Sequence, residues 1–372
     1  MEPAMSLSRR RTLALLGGGF VLAATGAAGG FAATRSPTRA LAPWNAAGRY
    51  ADPRMKALSW AILAPNPHNR QPWVAELTGT DGVRIHRDRA RDLPATDPFD
   101  RQLTIGMGCF LELMTIAASH TGHHIDLTLF PEGEDGPVAD ATFRPGAAAD
   151  PLFAHAAARR SCKEPFADTP VPAAAAAALS AHARIVTDDQ TVARLRALTW
   201  DAWVVEAETR PAWQESVDLM RFGKREIEAN PDGIDLGGPF LEALMLAGLM
   251  TRAQQGDPTS MAYTAAVDIY RTMLAATPAY AVITTPGNDR ATQVEVGRRW
   301  LRLNLAATGA RLAVHPVMQA TQEYPEMSAL RAEAHALLAA RGETVQMIGR
   351  LGYGPETPPT PRWPLETRMR NV

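Results

Sequence analysis

Cysteine is nearly missing from this chain: only Cys109 and Cys162 occur. With no C-x-x-C spacing there is no zinc or redox pair to propose. Two separate core thiols are the simpler reading, and one disulfide is the alternative open to an exported chain. Charge of one sign is also missing. Lys plus Arg number 38 against 39 Asp plus Glu, a net charge of −1, so no long-range field gathers nucleic acid or an anionic surface. The expected partner is a small molecule. No Gly-x-Gly-x-x-Gly follows a strand-like run and no Gly-x-Ser-x-Gly occurs, which leaves a Rossmann dinucleotide site and a hydrolase elbow unsupported. His120-Thr121-Gly122-His123-His124 follows directly on a helical run and reads as its polar exit rather than a metal site.

What is present is an ordinary globular composition: 372 residues, 46% hydrophobic and 21% charged, enough for a large core in two domains or in one unit of two similar halves. The N-terminus stands apart. Ser8-Arg9-Arg10-Arg11-Thr12-Leu13 precedes an uncharged, Gly- and Ala-rich stretch from Thr12 to Thr34, the layout of a charged n-region and an apolar h-region. The paired arginines resemble a twin-arginine export signal, which implies passage through the translocation machinery as a folded protein and a periplasmic or otherwise extracytoplasmic location. Residues 1–34 are therefore read as an export signal cut near Ala32, with an uncleaved membrane anchor as the alternative.

A pattern recurs at constant spacing. Asp100-Arg101, six residues, Gly108, seven residues, Ile116-Ala117-Ala118-Ser119 returns as Asp289-Arg290, six residues, Gly297, seven residues, Leu305-Ala306-Ala307-Thr308. Both copies have helical periodicity and apolar faces wide enough to be buried, and β-like runs precede them at Val83–His86 and Tyr280–Thr285. The reading is an α+β chain of two related halves, 40–143 and 152–372, imitating a two-fold dimer. A turn-rich seam, Pro131–Pro137 and Arg144–Ala147, flanks a strand at Val138–Phe143. The second half is longer by about 202–261, a segment read as a possible lid, with plain helices packed on the outside as the alternative.

Four segments carry candidate chemistry. Ala64-Pro65-Asn66-Pro67-His68-Asn69-Arg70-Gln71-Pro72-Trp73 is a proline-stiffened loop presenting the amides of Asn66, Asn69 and Gln71. Arg159-Arg160-Ser161-Cys162-Lys163 gathers two guanidiniums, a hydroxyl and an ammonium, groups suited to a phosphate. His315-Pro316-Val317-Met318-Gln319 follows the second repeat helix, and Leu351-Gly352-Tyr353-Gly354-Pro355 leads to Arg362 near the C-terminus.

The first loop is similar to the Pro-Ser-x-x-Asn-x-Gln-Pro-Trp turn of the nitroreductase superfamily, with Asn66 in place of Ser, and the basic run resembles that superfamily's Arg-x-Ser-x-Arg/Lys start. Because each motif occurs in only one half, the chain resembles the Acg-like branch, in which a duplicated chain keeps one flavin site. The resemblance implies a nitroreductase-like fold and FMN as cofactor. It implies cofactor contacts from Asn66, Asn69, Gln71, Arg159, Arg160, Ser161, Lys163, Pro316, Met318, Gln319 and Arg362. It further implies transfer of electrons or hydride through the flavin to a nitro, quinone or other unsaturated acceptor, with no side chain acting as nucleophile. Many members carry Glu near the position of Met318; its absence here makes a flavin-sequestering protein with little turnover the alternative.

Overall fold

The computed structural model describes residues 34–370, so the export segment, apart from Thr34, lies outside the described residues. Four strands of the first half, β1 (Trp73–Thr78), β2 (Gly82–Arg87), β3 (His123–Leu129) and β4 (Ala139–Pro145), form an antiparallel sheet in the order β1-β2-β4-β3. Their side chains alternate as a half-buried sheet requires: Trp73 and Ala75, Val83 and Ile85, Ala139, Ala141 and Phe143 all turn to the core. In the second half β5 (Arg184–Val186), β8 (Ala279–Thr285), β9 (Ala313–Pro316) and β10 (Thr344–Gly352) make an antiparallel sheet in the order β5-β8-β10-β9. Its central strands β8 and β10 are buried along nearly their whole length, on both faces. A short parallel pair, β6 (Met220–Phe222) and β7 (Ile234–Leu236), stands apart, and the C-terminal β11 (Met369–Arg370) crosses back to lie parallel to β1 in the first sheet.

The expected strands at Val83–His86, Tyr280–Thr285 and Val138–Phe143 are β2, β8 and β4 with shifted ends. Between the sheets lie two twenty-residue helices, Arg101–His120 and Arg290–Gly309, the two copies of the recurring pattern. They cross at their matched glycines. A Cβ added to Gly108 would stand 2.0 Å from the Val294 carbonyl oxygen, and one on Gly297 would stand 1.9 Å from that of Ile105. Ile105 and Val294 each precede their own glycine by three residues, so the contact reads the same in both directions.

The arginines at the helix starts pin across the crossing as well. Arg101 donates to the carbonyls of Gln346 (2.9 Å) and Thr321 (2.6 Å), while Arg290 donates to that of Phe99 (2.7 Å). The matched aspartates part company: Asp289 caps its helix through Thr292 N, whereas Asp100 is left-handed and Asp97 accepts from Gln102 N and Leu103 N instead. Buried Glu112 joins the two helices by accepting from Arg298 Nε at 2.6 Å and from Arg302. Arg101–His120 is long and apolar enough to cross a membrane, yet it is a core helix, with 83% of that stretch buried.

Cys109 and Cys162 are free and buried. Segment 202–261 starts inside the second core, where Ala202, Trp203, Ala207, Ala212 and Trp213 pack, and only beyond Pro239 does it turn large apolar side chains outward.

Candidate functional site

The loop after helix Pro53–Ala61 is strained in a specific way. His68, Asn69 and Gln71 all have φ near +50°, a left-handed conformation costing a non-glycine residue on the order of 1 kcal/mol or more. Its amides hold it there. Asn66 Oδ1 accepts from Gln71 N at 2.7 Å and Asn66 Nδ2 donates to Ala64 O at 3.2 Å. Fully buried Gln71 donates to Pro231 O (2.7 Å) and accepts from Trp363 N (2.9 Å). Asn69 donates to Pro361 O (3.1 Å) and accepts from Arg362 Nη1 (2.6 Å). The loop that sequence alone presents as a set of free amides is thus stitched to the C-terminal segment and to residues 231–233, where Gly233 N also reaches Asn69 O. Gly106 is the seat of the loop on the first central helix: a Cβ there would meet Pro67 and Asn66 at 3.1–3.2 Å.

Against this loop lie three guanidiniums. Arg362 is buried and gives hydrogen bonds to the carbonyls of Ile62, Leu63 and Ala64 as well as to Asn69. Arg159, equally buried, shares the Leu63 carbonyl at 3.1 Å, but its Nε and Nη1 find no acceptor among the described residues. Arg160 stacks on Trp44, its Cζ 4.3 Å from the ring centre, and its Nε is likewise unpaired. Burial, reinforced by the neighbouring positive charges, pulls Arg362 down to about 9 and Arg159 to about 10; burial alone lowers Arg160, against the opposing pull of the Glu356 carboxylate. No ion pair is made by any of the three among the described residues, which is unusual for arginines as deeply buried as Arg159 and Arg362. A bound anion with several acceptor oxygens would supply what this cluster lacks.

The basic run continues toward the second sheet. Cys162 N donates to Val314 O at 3.0 Å, setting residues 160–163 beside β9 and hence beside His315 and Pro316. Ser161 is half-buried, Lys163 is exposed, and neither side chain has a hydrogen bond among the described residues. The Lys163 charge helps to depress both His68, taken by burial to about 4, and His315, taken by burial and Arg350 well below its usual value; both imidazoles are therefore neutral at pH 7. His68 Nδ1 is buried without a hydrogen-bond partner among the described residues. Pro316 closes β9 opposite Gly349, and half-buried Met318 packs on the first core.

Gln319 turns away from this cluster, to a carboxylate that pattern reading passed over. Glu206 is buried in helix Asp189–Glu208 with no ion-pair partner among the described residues; Gln322 Nε2 donates to it at 2.5 Å, Gln319 bonds it too, and burial raises it to about 7. The signal was there: Leu195, Thr199, Ala202 and Glu206 fall on one helical stripe, so an acid stands where the core needs an apolar residue. Trp44 and His68 were passed over as well. A lone Trp upstream of the motifs and the unassigned position inside a turn motif carry no periodic signal.

The structure therefore brings together Asn69, Arg159, Arg160 and Arg362, with Ser161, Lys163 and Pro316 alongside. Asn66 and Gln71 serve as internal ties of the loop, and Gln319 serves the Glu206 network. No group of three metal-ligating side chains forms among the described residues.

No protein-family model matches the chain. It is similar over 333 residues, 23% identical and covering 83% of this chain and 91% of the other, to the "Putative NAD(P)H nitroreductase" of Mycobacterium tuberculosis strain H37Rv. An uncharacterized protein of the same strain is 38% identical over 80 residues, 20% of this chain; the chain thus spans about a quarter (23%) of that relative. Among solved structures, the FMN-dependent nitroreductase NfnB of Mycobacterium smegmatis in complex with NADPH is 17% identical, covering 57% of this chain and 94% of the other at a TM-score of 0.35. A nitroreductase with bound FMN from Bacteroides fragilis is 14% identical over 56% of this chain and 91% of the other, at 0.31.

Proposed function

We propose that the chain is an FMN-binding oxidoreductase of the nitroreductase superfamily, a single-chain pseudo-dimer with one flavin site, exported through a twin-arginine signal. One observation carries the reading: Arg159, Arg160 and Arg362 converge with no ion-pair partner among the described residues, and the buried Nε and Nη1 of Arg159 and Nε of Arg160 have no acceptor there. A flavin phosphate fits that donor set, because guanidinium N–H groups pair with several oxygens of one dianion. Ser161 and Lys163 extend the cradle, and the strained loop from Asn66 to Gln71 forms its wall. The glycine crossing of the two central helices supports the reading of two related halves. When bound, FMN supplies two-electron transfer to a small nitro, quinone or other unsaturated acceptor. The chain's own part is to bind and orient: Arg159 and Arg160 hold the anion, neutral His68 and His315 keep added positive charge away, and Pro316 lines the same wall.

Sequestration with little turnover is the second reading, favoured by Pro231–Gly233 bonding over the loop and by the lack of an acid at Met318. The test is release and chromatographic identification of the bound cofactor, followed by its loss in an Arg160→Ala/Ser161→Ala variant. A colourless protein that takes up no FMN ends both readings. Anaerobic reduction by NADH or NADPH favours turnover, and reduction by dithionite alone favours sequestration.

A further inference from the structure

Helix Pro239–Leu246 is built inside out. Its one buried residue is a glutamate, Glu242, which accepts from Arg35 Nη1 (3.2 Å) and Lys224 N (2.9 Å). Its outward positions are Phe240, Ala243, Leu246 and Ala247, continued by Leu249, with Leu246 75% exposed and Leu249 59% exposed. A helix turned to water carries the opposite arrangement, and an apolar face rimmed by basic side chains is the arrangement of a helix lying in a membrane interface.

Two further features say what covers this face. The uncharged stretch Thr12–Thr34 ends here: Thr34 O accepts from Lys224 Nζ at 3.0 Å, and Arg35 pairs with Glu242 of this same helix. Beside it runs an open groove of about 530 Å³, where Arg35, Arg39, Lys224 and Arg225 face Met245 and Leu246. Arg39 is paired with Glu228 and Arg35 with Glu242, while Lys224 and Arg225 make no ion pair among the described residues. Positive charge and apolar surface at the point where an apolar segment arrives is complementary to anionic phospholipid.

We propose that this face rests on an anionic phospholipid bilayer, with Phe240, Leu246 and Leu249 entering the acyl boundary and Lys224 and Arg225 meeting headgroup phosphates. The inference is independent of the flavin reading.

The test uses the full chain. Both native thiols are buried, so Leu246→Cys directs an environment-sensitive fluorophore to the face, and Asp135→Cys, at a fully exposed position in the turn between β3 and β4, gives a control site. With vesicles of equimolar phosphatidylglycerol and phosphatidylcholine, the probe at 246 shifts to shorter wavelength and brightens, and the probe at 135 does not. Reversing Lys224 and Arg225 to Glu weakens that response about tenfold or more, since each basic residue at such a surface contributes on the order of 1 kcal/mol. Chain that floats with vesicles while the probe at 246 stays in water would mean a tether without docking and overturns the proposal. A shift without vesicles that grows with protein concentration assigns the face to a second copy and overturns it equally.

Discussion

Replacing Arg159 by Met separates a cofactor residue from a structural one by sign. In the cofactor-free chain, Arg159 is a buried cation whose side chain has, among the described residues, one hydrogen bond, to Leu63 O at 3.1 Å, two nitrogens without an acceptor, and the like charges of Arg160 and Arg362 as neighbours. Losing that bond costs about 1 kcal/mol, while relieving two unsatisfied buried donors returns about 1 kcal/mol or more each. Methionine fills similar volume without a polar atom, and replacing uncompensated buried charge by apolar groups is often neutral or stabilising. Cofactor-free Arg159→Met is therefore expected to unfold at the wild-type denaturant concentration or above it. The cofactor-bound state moves the other way. Two charge-assisted bonds to phosphate, at about 1.5–3 kcal/mol each, amount to a loss of roughly 3–6 kcal/mol, or at least a hundredfold in Kd. Urea titrations with and without saturating FMN, together with quenching of flavin fluorescence, read both arms. A variant that is destabilised by about 3 kcal/mol without cofactor, in the range for a broken structural contact, and that binds FMN with unchanged affinity refutes the reasoning.

Three further outcomes follow from the core. Gly108→Ala and Gly297→Ala each place a methyl about 2 Å from a carbonyl oxygen of the opposite helix, so each is expected to cost more than about 4 kcal/mol or abolish folding, measured by urea unfolding of purified chain. Glu112→Ala removes the carboxylate that Arg298 and Arg302 share at the same crossing; because both arginines are about one third exposed and keep Glu295 and Asp150 as partners, about 1–3 kcal/mol is expected. Glu206, raised by burial to about 7, binds a proton in the folded chain that it releases near 4.5 when unfolded, so its contribution to stability is full at low pH and is lost as pH rises through 7. His68 and His315, held neutral by burial, act with opposite sign below pH 6.5 and flatten the whole profile, so the informative quantity is the difference between Glu206→Gln and wild type. That difference moves in favour of the variant by about 3 kcal/mol between pH 4.5 and 7.5, at 1.36 kcal/mol per unit of pKa. A difference independent of pH shows that Glu206 does not titrate there.

Legibility followed the range of the interaction that fixes each feature. Strands β2, β4 and β8 and both central helices were readable because their apolar periods are local, and the repeat located the glycine crossing because a glycine that admits another backbone has to be glycine. The basic run stood out by composition as a candidate anion site. Its depth was not readable, because Arg159 and Arg362 are buried by segments a hundred and three hundred residues away: Leu63 O receives both. The loop amides show the limit most plainly. A side chain able to donate and accept looks from sequence like a ligand contact, but Asn69 and Gln71 meet their partners at Pro361, Trp363 and Pro231, and no spacing within the loop announces a partner that far along the chain. Those long-range ties also explain why the strain is held. Three left-handed residues in four positions persist only where surrounding bonds over-determine them, and here the C-terminal segment that supplies those bonds also carries Arg362. Loop geometry and the guanidinium cluster are thus one mechanical unit. Shortening the chain before Pro361 removes the arginine and releases the loop together, so anion affinity and the φ values at 68–71 are expected to be lost in the same step.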